Sequence, residues 1–477
     1  MDSVLAPAVL PLAPSRPAAL PDTLEGAALI CLALGESIGG WLSRTWTVWW
    51  FSPIFLAGGC LLAIRYVAWP GPGLVARAWH HARAMLARPG VRRSWQIAIG
   101  SRLAVLAIGA LAVSTIGLTR RPEQVRVSRN VLIDLPARHD AGWYLALARQ
   151  GYSGVERRRR GPQQGIAFFP AYPAAMHVAG DLVTVPAKVL RDPMLFGGGD
   201  ARVLWGGVLL SIGCFGLALV RVHRLAMLET ASQGIANWTV ILLASYPFAL
   251  FFGAAYSESL FLLALVSTVL AWRQRDPWRG ALWGTLAGLS RSNGWTLSIA
   301  LLLDLALRPR DGRSRQVQLA AALCPLLGAA AFSAFVYGMT GHPLQWVAAQ
   351  QEWHRALDPW AFVTRRWGAI GDLGLAGYVT SQPVDAITLV VTVIALAAAG
   401  VAVRRREWLY AALIAGYLAP ALAIDLPATG RLSAVLFPVF LWLARSTPPR
   451  PRAALAGLFA LTQAYLAVQF FLWKPPY

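Results

Sequence analysis

The stretch QIAIGSRLAVLAIGALAVSTIGL, residues 96–118, decides the class of fold. Arg102 is its only charged residue, and a helix needs about 20 apolar residues to cross the hydrocarbon core of a bilayer. Similar apolar runs recur from about residue 47 to the C-terminus, and 57% of the 477 residues are hydrophobic while 14% are charged. At about 20 residues per crossing, the sequence predicts an all-α, polytopic membrane protein with about 11–13 transmembrane helices.

The charged residues follow the pattern of a membrane protein rather than that of a nucleic-acid-binding protein. The formal net charge is +21, but the arginines cluster at the ends of apolar runs. Cytoplasmic loops of membrane proteins carry such an excess of Lys and Arg. We therefore place the basic linker 79–93 and the loop RQRDPWRG, residues 273–280, in the cytoplasm. No basic face with interleaved aromatic residues indicates a nucleic-acid partner.

The apolar runs and the polar stretches between them divide the chain into five parts. We expect these to be a flexible Pro- and Ala-rich tail at 1–23; N-terminal membrane segments with a basic cytoplasmic linker at 24–95; a catalytic membrane core at 96–340 that includes an extracytoplasmic loop at 119–165; a second extracytoplasmic loop at 341–383; and C-terminal transmembrane helices at 384–477.

The first extracytoplasmic loop contains RHDAGWYLALARQGY, residues 138–152. Trp143 and Leu147 stand at helical spacing, so we expect a short amphipathic helix on the membrane surface. Asp140 would cap its N-terminus and Gly151 would end it.

A second irregular segment contains GLSRSNGW, residues 288–295, in the middle of the apolar run 280–307. Both flanks of this run are basic and are predicted to be cytoplasmic. The run must then form a hairpin of two short helices, and irregular backbone at such depth is tolerated where it lines a site. No acid close in sequence can pair with Arg291, so a substrate phosphate would serve as its anionic partner.

Charged residues in or beside membrane helices are costly and therefore are candidates for function. Asp140 with Arg138, Glu258, Arg291 with Asn293, and Arg431 stand out. Asp140 and Glu258 could instead be ordinary helix caps. The run RRRR, residues 157–160, either lies on a solvated surface or attracts the anionic headgroup of a lipid substrate.

Metal-ligand spacing is not found in the sequence. The four cysteines form no CxxC pair and lie in apolar runs, which indicates neither a disulfide framework nor a zinc site; they are Cys31, Cys60, Cys214 and Cys324. We predict no cofactor and no metal site, and metal dependence is left open.

Four motifs in order, namely RHDAGWYLALARQGY, AFFPAYP at 167–173, YPFALFFGAAYSESLF at 246–261 and SRSNG at 290–294, resemble the GPI mannosyltransferase II (PIG-V-like) family in its bacterial members. This family lies within the GT-C clan of polyprenyl-phosphate-sugar-dependent glycosyltransferases. The likeness covers residues 100–300, whereas the C-terminal third matches only loosely. It implies the GT-C fold and mannosyl transfer, with inversion, from a polyprenyl-phosphate-mannose at the extracytoplasmic face.

The resemblance also implies roles for particular residues, with Asp140 as the catalytic acid of the first loop. We expect the donor to be bound by residues that lie in the matching motifs or carry unpaired charge: Arg138, His139, Tyr172, Tyr256, Glu258, Arg291, Asn293 and Arg431. Trp143 and His354, in the first and second loops, are expected to serve the acceptor. The family often has Trp at the position of His139, which puts the hydrogen bonds beside Asp140 in question.

The chemistry supports this interpretation independently. An inverting transfer needs one carboxylate to take the acceptor's proton and cationic groups to balance the departing phosphate. The alternatives are the same fold with another lipid-linked sugar, such as arabinofuranose or glucose, and a lipid-linked sugar flippase or transporter. A transporter would keep its key ionisable groups near the bilayer midplane, whereas Asp140 lies in a loop.

The acceptor stays open between a glycolipid, a glycan and a protein. Abundant Pro, Ala and Arg suggest a high-GC bacterium. We therefore expect a multi-pass protein of the inner (plasma) membrane, in contact with membrane lipids and with its active site on the extracytoplasmic side.

Overall fold

The computed structural model describes residues 84, 88–118, 125–158, 164–189, 198–308, 314–349, 360–423 and 426–474. All regular structure in these ranges is helical, as predicted. The predicted tail 1–23, nearly all of the segment 24–95, His354 and part of the RRRR run lie outside the described residues.

The described residues form sixteen α-helices and two short 3-10 helices, Gln164–Ala167 and Pro247–Gly253. In chain order the α-helices are α1 Pro89–Ile116, α2 Ala141–Arg158, α3 Ala171–Val189, α4 Gly199–Thr230, α5 Gln233–Ser245, α6 Glu258–Arg273, α7 Pro277–Ser290, α8 Thr296–Leu307, α9 Arg315–Thr340, α10 Gln345–Ala348, α11 Ala361–Ser381, α12 Pro383–Arg404, α13 Trp408–Leu422, α14 Pro427–Ser433, α15 Phe437–Ser446 and α16 Pro449–Phe471.

Several of these helices are long and apolar enough to cross a membrane, which confirms a polytopic membrane protein. Within the described ranges they are α1, α4, α9, α12 and α16, and α5 with the following 3-10 helix makes a sixth if this pair, bent by 81°, is one span. The prediction of about 11–13 spans assumed about 20 residues per crossing. Several apolar helices are shorter than that: α8 has 12 residues and α13 has 15.

The segment 280–307 forms the predicted pair of short helices. The helix α7 ends at Ser290 and α8 begins at Thr296, with 14 and 12 residues respectively. The end of α8 returns to the level at which α7 begins, because Trp272 Nε1 donates to Asp304 Oδ2 at 2.7 Å and Arg308 lies over the Trp272 ring. The intervening residues 291–295 therefore lie at the opposite end of both helices.

The helix α6 lies at the centre of the fold. Every residue from Glu258 to Trp272 is buried, since α4, α7 and the 3-10 helix Pro247–Gly253 pack around it. A helix that is apolar on all sides is expected in such a position. Its first residue, Glu258, is thereby held deep in the protein beside the break that separates α7 from α8.

The helix α2 begins after Asp140 as predicted, but two details differ. The Asp140 carbonyl accepts from the Trp143 and Tyr144 amides, while its carboxylate pairs with Arg431 instead of capping the helix. Gly151 interrupts the helix as predicted, because its φ of 64° is not helical, and a second helical segment follows this kink. One side of α2 is also buried in the protein rather than resting on a membrane surface, because Leu147 packs against α9.

Candidate active site

Two acids and two arginines from four separate parts of the chain meet in one cluster. Arg431 Nη1 lies 2.5 Å from Asp140 Oδ2, and Arg431 Nε also contacts Glu258 Oε1. Arg291 Nη1 lies 2.5 Å from the same Glu258 oxygen. The four side chains thus form the chain Asp140–Arg431–Glu258–Arg291, whose formal charges cancel. We call this set the charge cluster.

Each member of the charge cluster stands at the end of an element or close to one. Asp140 directly precedes α2, Glu258 is the first residue of α6, and Arg291 caps the C-terminus of α7 with an extended φ of −151°. Arg431 lies in the last turn of the short helix α14. An acid in the first turn of a helix is favoured by the helix dipole, which adds to the stabilisation of Glu258 by the arginines.

No acid lies close to Arg291 in sequence, but the fold supplies one, because Glu258 is its partner. The helices α6 and α7 are consecutive and pack against each other, so the start of one lies beside the end of the next. A sequence separation of 33 residues therefore becomes a direct contact. Glu258 is almost fully buried and Arg291 is 14% exposed, so water screens this pair little.

Tyr256 supports both Asp140 and Arg431. Its hydroxyl accepts a hydrogen bond from the Asp140 amide at 3.0 Å and donates to the Arg138 carbonyl at 3.2 Å. The Arg431 guanidinium lies 4.5 Å from the centre of the Tyr256 ring and 5.2 Å from that of Phe251. Such cation–π contacts stabilise a desolvated guanidinium.

Ser257 and Tyr144 link the first loop to Arg291. The Tyr144 hydroxyl donates to Ser257 Oγ at 2.9 Å, and Arg291 Nη1 donates to the same oxygen at 3.3 Å. Neither residue was among the predicted site residues. The position of Ser257 beside Glu258 in the YSES sequence was the available signal.

Tyr172 lies one layer behind the charge cluster. Its hydroxyl donates to the Gly207 carbonyl at 3.0 Å and lies 2.9 Å from Ser211 Oγ, while its ring packs edge-on against that of Tyr144. These contacts anchor α3 to α4. A contact of Tyr172 with the donor stays a prediction.

The Arg138 side chain forms hydrogen bonds inside the protein. It is fully buried, and its guanidinium donates to the carbonyl of Phe471 at 2.8 Å and to that of Asp134 at 2.9 Å. Asp134 Oδ2 lies 3.4 Å from Arg138 Nη1 and neutralises its charge. These bonds tie the first loop to the end of α16, and a contact between Arg138 and the donor phosphate stays a prediction.

His139 adopts a left-handed backbone conformation, with a φ of 47°, immediately before Asp140. This conformation costs a non-glycine residue about 1 kcal/mol and is typical of functional sites. The imidazole packs against the rings of Phe470 and Trp473, and Nε2 lies 3.3 Å from the Phe470 carbonyl. Burial lowers the pKa of His139 to about 4, so the ring is neutral at pH 7.

The remaining predicted residues are less directly connected to the charge cluster. In the described part of the chain Asn293 Oδ1 makes no hydrogen bond, and this side chain lies near the Tyr417 hydroxyl. Trp143 stacks on Phe168 at 5.8 Å between ring centres. His354 lies outside the described residues.

An apolar groove with a volume of about 670 Å³ begins beside the break between α7 and α8. Trp295, four residues after Arg291, forms part of its wall. The described residues that line the rest of the groove come from α9, α10 and the turn between them: Leu326, Ala329, Ala330, Ser333, Ala334, Tyr337, Pro343, Leu344, Trp346 and Val347.

Within the described residues, no three His, Cys, Asp or Glu side chains come together in a group that could hold a metal ion. The charge cluster has only two carboxylates, and each is paired with arginine.

Comparison with known proteins finds a similarity to one family. Residues 110–307 match the family model of the mannosyltransferases described as Mannosyltransferase (PIG-V). The matched segment includes Asp140, Glu258 and Arg291, whereas Arg431 lies beyond it. No curated protein matches the chain. The similarity of residues 110–307 to the PIG-V mannosyltransferases, together with the long apolar helices, supports a glycosyltransferase that is embedded in a membrane.

Proposed function

We propose that the protein transfers mannose from a polyprenyl-phosphate-mannose donor to a hydroxyl group of a glycolipid, glycan or protein acceptor, with inversion at the anomeric carbon. The observation that carries this proposal is the pairing of Asp140 with Arg431 inside the charge cluster. It joins an acid in the first loop to a cation that also contacts Glu258.

Asp140 is the general base in this proposal. Its side chain is 20% exposed, and in the described residues its carboxylate pairs with Arg431 through Oδ2. Oδ1 can then accept the proton of the acceptor hydroxyl as the hydroxyl oxygen attacks the anomeric carbon. The bond between that carbon and the phosphate oxygen breaks in the same displacement, which inverts the configuration.

The charges of the cluster match those of the reaction. The donor is a phosphodiester with one negative charge, and the departing polyprenyl phosphate carries a second. Protonation of Asp140 changes the net charge of the cluster from zero to +1 at the moment at which this second charge develops. It also weakens one of the two carboxylate contacts of Arg431, so that Arg431 and Arg291 can stabilise the leaving phosphate.

The apolar groove supports a lipid-linked donor. Its wall at Trp295 lies next to the break that carries Arg291, so a phosphate at Arg291 would have an apolar surface beside it. A polyprenyl chain loses favourable burial if it leaves an apolar environment, at about 25 cal/mol per Å². A water-soluble sugar nucleotide would have no use for such a surface.

The distribution of arginines supports an extracytoplasmic site. Glu258 begins the 16-residue helix α6 and Arg273 ends it, about 22 Å away. Arg273 and Arg445 both contact Glu229 at that far end, where Arg308 also lies. By the positive-inside rule this end is cytoplasmic, and the charge cluster then faces the opposite side of the plasma membrane.

The experiment that tests the proposal is an assay of purified protein with polyprenyl-phosphate-mannose and a panel of acceptors, followed by mass spectrometry and NMR of the product. We expect a mannosylated product of inverted anomeric configuration. Asp181→Asn is the matched control, because Asp181 is an exposed acid on α3. Transfer with retention, or transfer from a sugar nucleotide but not from the lipid donor, would contradict the proposal.

A further inference from the structure

Arg102 is a buried charge in the middle of the membrane helix α1. It is 0% exposed, and it lies outside the segment that matches the family model. In the described part of the chain its hydrogen bonds go to neutral oxygens rather than to a carboxylate, and its guanidinium lies 5.1 Å from the centre of the Phe215 ring. A charged side chain buried in a membrane helix is energetically costly, which makes it a candidate for a structural or functional role.

The partners of Arg102 are backbone carbonyls at the sharp bend after α5. The chain turns by 81° between Ser245 and Pro247, and the proline has no N–H with which to continue the hydrogen bonds of α5. Arg102 Nη2 donates to the Ala244 carbonyl at 2.9 Å, and Nη1 donates to the Ala249 carbonyl. Carbonyls left without a hydrogen bond at this depth would destabilise the fold.

Gln463 of α16 completes the same arrangement. Its Nε2 donates to the Tyr246 carbonyl at 2.5 Å and to the Ala244 carbonyl at 3.3 Å. Its Oε1 accepts from Arg102 Nη2 at 3.2 Å. Arg102 and Gln463 therefore hold three carbonyls of the bend from two different helices.

The other side of the bend holds α14, which carries Arg431. The Tyr246 hydroxyl lies 2.6 Å from Ser433 Oγ. The Phe248 ring packs so closely on Gly430 that a Cβ atom there would lie 2.4 Å from the ring. Phe251, at the end of the bend, lies under the Arg431 guanidinium. Movement of the bend would thus displace Arg431 relative to Asp140.

We infer that Arg102 and Gln463 are positioning residues for Arg431. They fix the bend 244–253, the bend fixes α14, and α14 sets the distance between Arg431 and Asp140. The inference rests on the proposed role of the Asp140–Arg431 pair in the transfer. Arg102 and Gln463 are separate from the charge cluster and do not contact the reacting atoms.

A double-mutant cycle between Gln463 and Arg431 tests the inference. Gln463→Met keeps the side-chain length and removes the amide. We expect a loss of about tenfold in kcat, with the KM for the donor changed less than about twofold, because misplacement affects the reacting geometry more than binding. In an Arg431→Lys background the same substitution should lower kcat by less than about twofold, because the contact that it positions is already lost.

Thr462→Val is the matched control, since Thr462 is partly exposed on the same helix and, among the described residues, its hydroxyl bonds only within that helix. It should leave kcat unchanged in both backgrounds. Gln463→Glu serves as the second variant if Gln463→Met does not fold; it can still accept from Arg102 but cannot donate to the Tyr246 carbonyl. A purely structural role would give equal losses in both backgrounds, and that result would overturn the inference.

The same cycle, measured as unfolding temperature in detergent, does not depend on activity. We expect the temperature shifts of Gln463→Met and Arg431→Lys to be non-additive, whereas the shift of Arg102→Lys should be non-additive with both. Additive shifts would overturn the inference. If wild-type protein uses no lipid-phosphate sugar, the proposed function fails, and the unfolding cycle alone decides the positioning role.

Discussion

Arg431 and Asp140, 291 positions apart in the chain, form an ion pair with 2.5 Å between Nη1 and Oδ2. The pair joins the loop before α2 to the short helix α14. Arg431 also contacts Glu258, so the first loop, the central helix α6 and the C-terminal part of the chain meet at one guanidinium. The contribution of each residue to this meeting point can be measured separately.

Arg291→Lys tests the binding of the donor phosphate. An arginine can hold phosphate with two parallel hydrogen bonds, whereas a lysine acts as a point charge. We expect the KM for the donor to rise about tenfold, a loss of roughly one good hydrogen bond to a charged group, and the KM for the acceptor to stay within twofold. Steady-state kinetics with each substrate varied in turn gives both values. A rise in the acceptor KM alone would assign Arg291 to the acceptor.

Tyr256→Phe separates the hydroxyl of Tyr256 from its ring. The substitution removes the hydrogen bonds to the Asp140 amide and the Arg138 carbonyl but keeps the aromatic face under Arg431. We expect kcat to fall about fivefold and the fold to be retained, since one hydrogen bond is worth roughly 1 kcal/mol. Tyr256→Leu should cost more, because the cation–π contact is also lost.

Tyr410→Phe is the comparison for Tyr256→Phe. Its hydroxyl donates to Glu229 at the opposite end of the helices, so this variant should keep full kcat. Equal activity of Tyr256→Phe and wild-type protein would show that the hydroxyl does not orient Asp140.

His139 should make stability depend on pH. Burial lowers its pKa in the folded protein from 6.5 to about 4, so the folded state resists protonation more than the unfolded state does. This contribution to stability is complete above about pH 6.5 and is lost as the pH falls from there towards 4. We expect the unfolding temperature of wild-type protein to fall more between pH 7.5 and 5 than that of His139→Phe. His342→Phe, at an exposed position, should behave as wild type.

Sidedness is tested with single cysteines at Arg129 and Ser314, in a background that lacks Cys31, Cys60, Cys214 and Cys324. Both positions are exposed, one in the loop before Asp140 and one before α9. A membrane-impermeant thiol reagent on intact cells should label position 129 and not position 314. The reverse pattern would place the charge cluster on the cytoplasmic side.

The members of the charge cluster could be identified from the sequence, but their pairing could not. Asp140, Glu258, Arg291 and Arg431 stand out because each is a charge in or beside an apolar segment. Their contacts span 33, 173 and 291 positions, and only the packing of α6, α7 and α14 brings them together. The sequence alone therefore could not show that Glu258 is a partner of Arg291.

The helical class and the short pair α7 and α8 could also be predicted, because apolar runs between basic loops allow few arrangements. The bend after α5 and the short length of α13 were not predicted, since hydropathy alone does not show where a helix stops inside the protein. Pro247, which ends α5, can be recognised in the sequence. The hydrogen bond from Arg102 to a carbonyl of the bend cannot, because it joins residues 142 positions apart.

The turnover of Asp140→Asn with polyprenyl-phosphate-mannose tests the central claim most directly. The amide keeps the size of the side chain and an oxygen that can accept from Arg431, but it cannot take a proton. We expect a folded protein with donor KM within about threefold of wild type and a kcat lower by on the order of 10² to 10⁴, the usual share of a general base. Turnover equal to that of wild type would remove Asp140 from the reaction and contradict this account.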